Sequence, residues 1–408
     1  MTPGIKLSTI GIWLATGAIF QDYSPIPTLP AISLAKIMFL VSLPFLASAK
    51  FSSHVSKLSL AVFQYSILLV LLSFGLGAGG ISDRTISVSV SLIIGFLSYI
   101  FIAQAKISKV SVVRAFEFWV IASSLLGIFQ AVTGAGFVSA RSFEAYIIPG
   151  IFRASGFTDD PNYFALLCLM GLALSASGCA KHPKLLAGLA LVAVVLSGSR
   201  AGTLTALAMI LIERAGGFLS ARRMLLLVPL TAISVGLIFA FKNTLPSGFQ
   251  EMFNSNAYVL SDGANSLSFR MTALLSGVQV FLENPMFGYG LGNNVYHPDN
   301  VLGLVSHNSI VETAAESGLV GLAMYCWIFI QVIRTGIRRS SERSANIKLA
   351  ISLLFAAMFI MSLTLVTEYS RIFFFFLALV AILAREEAPA RLINRGPYES
   401  EIGLVRNV

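Results

Sequence analysis

Read from its start, the chain alternates long apolar runs with short polar breaks. A helix needs about 20 mostly apolar residues to cross a bilayer, because lipid offers no partner to an exposed backbone N–H or C=O. Twelve runs meet or approach that length, at 5–20, 31–49, 58–77, 86–105, 110–133, 161–178, 184–198, 200–216, 223–241, 318–336, 347–367 and 371–384. The pattern predicts an all-α polytopic membrane protein with about 12 transmembrane helices. The first run has only Lys6 ahead of its apolar stretch and no small-x-small cleavage site after it, so it reads as a span rather than a signal peptide.

Composition sharpens this picture. Apolar residues make up 56% of the 408 and charged residues only 12%, about half the share of an ordinary soluble domain. That balance excludes a water-soluble enzyme, a disordered chain and a nucleic-acid-binding protein. The net charge of +9 then becomes a question of sides. With the N-terminus in the cytoplasm and the spans alternating, 20 Lys and Arg fall on the inner side and 7 on the outer side, while Lys36 lies inside a span. The excess of positive charge is therefore mostly orientation. Both termini are expected in the cytoplasm of a bacterial inner membrane, residues 1–384 as one transmembrane domain and 385–408 as a charged tail. Cys168, Cys179 and Cys326 sit in or beside apolar runs and make no disulfide framework.

Polar chemistry gathers on the outer, periplasmic side, in loops at about 134–160 and 242–306. In the Ser197–Gly202 turn, Arg200 opens the next helix; its planar guanidinium and the free N–H groups there suit a phosphate, and it equally suits lipid headgroups. Arg270 precedes the Gly-rich run Asn284–Asn294, either as a surface cation or as a second anion ligand. His307, in Ser306–His307–Asn308, stands at the mouth of a helix with Glu312 and Glu316 stacked on one face. It is either a structural residue or a proton acceptor near neutral pH, and Ser306 or Asn308 would cap the helix. Asp159 and Asp160 follow Arg153 at the start of the sixth run, where helix-dipole compensation competes with a role in sugar or metal binding. His297, Asp299 and His307 lack a recognised zinc spacing. Glu117 is expected to pair with Arg114 one turn away, and Glu368 with Arg371.

These motifs together resemble the O-antigen ligase and O-antigen polymerase family of bacterial inner-membrane glycosyltransferases. The resemblance rests on Arg-x-x-x-Leu at Arg200 and Leu204, and on His307–Asn308 followed by nine residues and Gly318-x-x-Gly321. The NPxFGYGLG run and the RxxGFTDDPNY segment extend it over roughly residues 140–335. It implies a fold similar to the GT-C-like membrane glycosyltransferases, with a cavity under the large outer loop. It also implies metal-independent, inverting transfer with no cofactor, from a glycan on undecaprenyl diphosphate. Arg200 and Arg270, with Arg153 in support, would bind the diphosphate, and His307 would act on the acceptor hydroxyl. A ligase joins O-antigen to lipid A–core in lipopolysaccharide synthesis; a polymerase extends a lipid-linked glycan. The motifs lean towards the ligase. A secondary transporter or flippase using Lys36 and Glu117 is the reading from another class, and the spans show no paired half-symmetry to support it.

Overall fold

A computed structural model of the chain describes residues 7–20, 34–47, 51, 56–105, 107–134, 146–148, 150–214, 266–338 and 345–385. The predicted run at 223–241, Arg141, Lys242, most of the tail, the side chain of Lys36 and parts of both outer loops (135–145 and 242–265) lie outside them. The chain opens with α1 (Leu7–Gly17), α2 (Leu34–Ala47), α3 (Lys57–Gly75), α4 (Asp83–Gln104) and α5 (Lys109–Thr133). An antiparallel pair, β1 (Tyr146–Ile148) and β2 (Ile151–Phe152), leads into α6 (Pro161–Ala176), α7 (Pro183–Leu196) and α8 (Arg200–Arg214). Then follow α9 (Ser266–Glu283), a single 3-10 turn at Asn294–Tyr296, α10 (Ser309–Arg338), α11 (Ala345–Ser362) and α12 (Arg371–Leu383).

Eleven of the predicted runs fall on helices. Among the described residues, five helices are long and apolar enough to cross a membrane: α3, α4, α5, α10 from Ser309 to Gly336, and α11. The protein is thus a multi-pass membrane protein. The helices α6, α7 and α12 have 16, 14 and 13 residues, which at ~1.5 Å per residue fall short of a ~30 Å hydrocarbon layer. Two differences from the sequence pattern concern the outer side. Helix α9 rises inside the stretch that reads as loop, and α10 begins at Ser309, a full nine residues before its apolar run.

Helix boundaries follow local chemistry. Ser82 and Thr85 form a reciprocal capping box on α4, Asp160 and Pro161 start α6, and Gly134 closes α5 in the left-handed region at φ 67°. The centre of the bundle is α12, whose Phe373, Phe374, Phe375 and Phe376 have no exposure. A helix that is apolar on every side belongs inside, and α4, α11 and α10 surround this one. Gly95 lies against the Phe374 ring and lets α4 approach closely.

The two ends of the bundle differ. At one, the Ser59 hydroxyl bonds to the Tyr99 hydroxyl and accepts from Gln104 Nε2, Phe51 pairs with Ala105, and Arg385 Nη1 donates to the Ala105 carbonyl at 2.8 Å. Glu117, in the first half of α5, is buried. Its carboxylate accepts from the Lys181 N–H at 2.8 Å and the His182 N–H at 2.6 Å, with His182 Nδ1 3.3 Å away. The expected pairing with Arg114 is thereby replaced: two amides at the start of α7 offer a carboxylate better geometry than a flexible guanidinium on its own helix. The other end holds the candidate chemistry.

Candidate functional site

The site is built around a break in α10. Gly318 takes φ 64° and ψ −165°, values outside the helical region. A Cβ there would also press into the Met286 carbonyl. The break frees backbone groups on both sides of it, and the Gly-rich loop takes four of them. The Leu319 and Val320 amides donate to the carbonyls of Pro285 and Met286 at 2.8 and 3.4 Å. The carbonyls of Ala315 and Glu316 accept from the Tyr289 and Gly290 amides, both at 2.8 Å. Gly288, at φ 72°, passes directly against the Glu316 backbone. Gly321 is buried one turn further on, against Ser317 and Leu69. The Gly-x-x-Gly and NPxFGYGLG motifs are therefore two halves of one joint.

The start of α10 is fixed just as firmly. Asn308 Oδ1 accepts from the amides of Ile310 and Val311 at 2.9 and 3.1 Å, so Asn308 is the cap. Its Nδ2 donates to the Leu363 carbonyl at 3.1 Å, and Ser309 Oγ donates to the Leu365 carbonyl at 2.7 Å. Ser306 turns inward instead: its N–H and Oγ reach Glu312 Oε2 at 2.7 and 2.6 Å, and Asn294 Nδ2 donates to the same oxygen at 3.0 Å. Between these two anchored neighbours stands His307, at φ 51°, where it is the sole non-glycine residue with positive φ among the described residues. Such a conformation persists only where its surroundings impose it.

Three charges act on the His307 imidazole besides its own burial. Burial lowers its pKa most and Arg270 lowers it further, while Asp160 and Glu312 oppose them. The ring is half-buried and is held neutral below its ordinary range, the form that accepts a proton. Arg270, on the first turns of α9, also acts on Arg153. Burial lowers the Arg153 guanidinium, Asp160 draws it up and Arg270 pushes it down. Arg153 Nε donates to the Ser197 carbonyl at 2.9 Å, and the Ala154 N–H to the Leu196 carbonyl at 2.8 Å, which pins the segment before α6 to the turn before α8. Gln130 supports the same segment by accepting from the Ser155 and Gly156 amides at 3.2 and 2.8 Å.

Of the residues singled out in the sequence, Arg153 and His307 both lie within the electrostatic reach of Arg270, and Asn308, Gly318 and Gly321 shape the helix that follows His307. Arg200 stands at the first position of α8, exposed, next to the turn that Arg153 holds, and is not among the charges acting on His307. Leu204, one turn on, is 65% exposed, so the Arg-x-x-x-Leu pair lies on an outward face of α8. Sequence reasoning gave Asp160 a capping role, which it has: its Oδ1 accepts from the Asn162 N–H at 2.6 Å. It missed that the same carboxylate faces His307 and Arg153, and that Asn294 and Glu312 form the floor under Ser306. Their signal was the Asn pair inside a glycine run.

Two further groups differ from expectation. Glu368 is buried with neither carboxyl oxygen hydrogen-bonded, and so does not make the expected pair with Arg371; Glu316, also buried, has both oxygens in the same condition. His297 does meet Asp299, but the third member is Glu283 rather than His307. His297 Nε2 lies 3.2 Å from Glu283 Oε2 and Nδ1 3.7 Å from Asp299 Oδ2. Hydrogen bonding to Glu283 pushes the Asp299 carboxyl up. These three could hold a cation by ligand type, with two of them exposed at the surface.

No curated protein matches the chain. A family model does match it, over the segment that contains Arg200, Arg270, His307 and both halves of the α10 joint. Residues 185–326 match the model described as O-antigen ligase, and over that segment the chain is similar to that family.

Proposed function

We propose that the protein is a glycosyltransferase of the bacterial inner membrane that transfers a glycan from undecaprenyl diphosphate at the periplasmic face. The acceptor of the ligase reaction is lipid A–core. One observation carries this reading: a strained, neutral histidine shares its charge environment with two arginines and a carboxylate at one end of a membrane bundle. In the reaction, His307 takes the proton of an acceptor hydroxyl. That oxygen attacks the anomeric carbon from the side opposite the leaving group, and the bond from that carbon to the diphosphate oxygen breaks. The diphosphate departs with both electrons, stabilised by Arg270 and Arg153, with Arg200 at the rim. Asp160 orients Arg153 and tempers the two guanidinium groups. No step calls on a metal ion, and chelation is expected to leave the rate unchanged. The membrane domain spans 1–384 and carries this site on its outer loops.

The transport reading loses its main coupling group, because Glu117 is occupied by two backbone amides at the other end of the bundle.

The test is reconstitution of the full chain in liposomes with a lipid-diphosphate glycan and either lipid A–core or a second lipid-linked glycan. Product on lipid A–core is expected; a lengthened lipid-linked glycan identifies a polymerase. His307→Ala should lower kcat by about 10²–10⁴-fold, the usual worth of a general base, with the thermal midpoint preserved. Full activity in that variant removes the base assignment. For the wild type, kcat/KM should hold steady as pH falls to the ordinary histidine range and drop about tenfold per unit only below it, because the neutral ring is the active form.

A further inference from the structure

A cavity of about 480 Å³ opens beside the His307 site, between α4 and α12. Its walls are graded. Arg84 and Arg371 lie at the rim, where α4 and α12 begin. Arg84, Val88, Ser91 and Ile94 follow one face of α4, a descent of ~15 Å from the rim at ~1.5 Å per residue. Ile372 and Ile19 add apolar wall, and Tyr163 and Ser370 also line the cavity, their hydroxyls donating to the Val366 and Thr367 carbonyls; Asp159 is the one carboxylate in the lining. Arg84 is half-buried, packed over Gly292, and has no carboxylate partner among the described residues. A cationic mouth above an apolar slot fits one kind of molecule: an amphiphile with an anionic head.

The groove is not lined by the first cation pair, yet two of its lining residues neighbour the proposed reaction centre along the chain. Val305 lines it two residues before His307, and Asp159 lines it next to Asp160. Neither Arg84 nor Arg371 is among the charges acting on His307 or Arg153. A transferase that joins two lipid-borne molecules needs two anionic head-group seats, one on each side of its base.

We propose that this groove seats the acceptor, a phosphate-bearing amphiphile, with its phosphate at Arg84 and Arg371 and its first hydrocarbon along Val88, Ile94 and Ile372. The proposal rests on the transferase reading for the word acceptor, and on the groove alone for the ligand class. Two arms keep these apart. In the liposome assay, Arg84→Gln and Ile94→Trp should each raise KM for the acceptor about tenfold, the loss of one charge-assisted contact or of the slot itself, while KM for the donor stays within about twofold. A rise in donor KM instead assigns the groove to the donor lipid and overturns the proposal, as does no change in either.

In the second arm, the full chain in phosphatidylcholine vesicles is titrated with a fluorescent dodecyl phosphate and with the matching dodecyl alcohol. The phosphate should bind about tenfold more tightly, and Arg84→Gln should remove that preference. Equal binding of both probes overturns the ligand class. Displacement of the phosphate probe by phosphatidylglycerol at bulk lipid ratios shows a general head-group site and overturns the acceptor assignment. If the wild type transfers nothing, the transferase reading falls, and this arm still decides the groove. Both variants are read only alongside an unchanged thermal midpoint.

Discussion

Helix α12 and the break in α10 both place polar backbone in the interior, and they satisfy it in different ways. In α12 the amides beyond the first turn, which Ser370 caps, find their carbonyls within the helix, and four consecutive phenylalanines fill the space around it. Packing there is a matter of volume, and any sequence of similar size and hydropathy would serve. In α10 the ladder stops at Gly318, and the loose amides and carbonyls are taken by residues 285–290 of a distant loop. Nothing in α10 alone could satisfy them. The comparison teaches that the bundle is tolerant where it is regular and exacting where it is broken, and that His307 hangs from the exacting part. His307 keeps its strained φ because Ser306 is held by Glu312, Asn308 by the α10 amides and Leu363, and the far end of the short helix by the Gly-rich loop.

The sharpest way to break this comparison is Gly318→Ala. A side chain there meets both a positive φ and the Met286 backbone, so the variant should lose about 3 kcal/mol or more, enough to abolish folded protein in detergent. Thermal unfolding of the purified chain within about 1 kcal/mol of wild type would mean that the joint is not under constraint. Asn308→Ala comes next. It removes a cap and a tie to the 363–370 turn, for about 1–2 kcal/mol, and should depress transfer more than stability because His307 is released. A stability loss with normal kcat would separate the cap from the site. The smallest effect belongs to Gly188→Ala in α7, where nothing lies near the added methyl. It should be neutral or stabilising by up to about 1 kcal/mol, and a clear loss there would show that regular helices are as exacting as the break.

Much of the fold was legible in the chain, for reasons the comparison makes plain. Hydropathy reports burial of regular helices, so the runs at 110–133 and 371–384 lie almost residue for residue on α5 and α12. Pattern fails where a helix is amphipathic and outside the apolar runs, as with α9, and where a helix changes character midway, as with the first turns of α10. The pairings expected of Glu117 and Glu368 failed for a related reason. Sequence spacing offers a carboxylate only its neighbours on the same helix, whereas the fold brought amides of another segment to Glu117 and left Glu368 without a hydrogen-bond partner.

By itself, the sequence determined that this is a multi-pass helical membrane protein, and it singled out the candidates for its chemistry: the cation at Arg270, the histidine at 307 with its Asn308, and the glycines at 318 and 321. Composition and residue type suffice for that, because lipid penalises unpaired backbone and because few side chains take protons near pH 7. Only the tertiary structure decided that Arg153 and Asp160 share the field of His307, that Arg200 and Leu204 face outward, and that the Gly-rich run completes a broken helix. Those are contacts between residues far apart along the chain, and no local pattern encodes a hydrogen bond whose partner lies on another element.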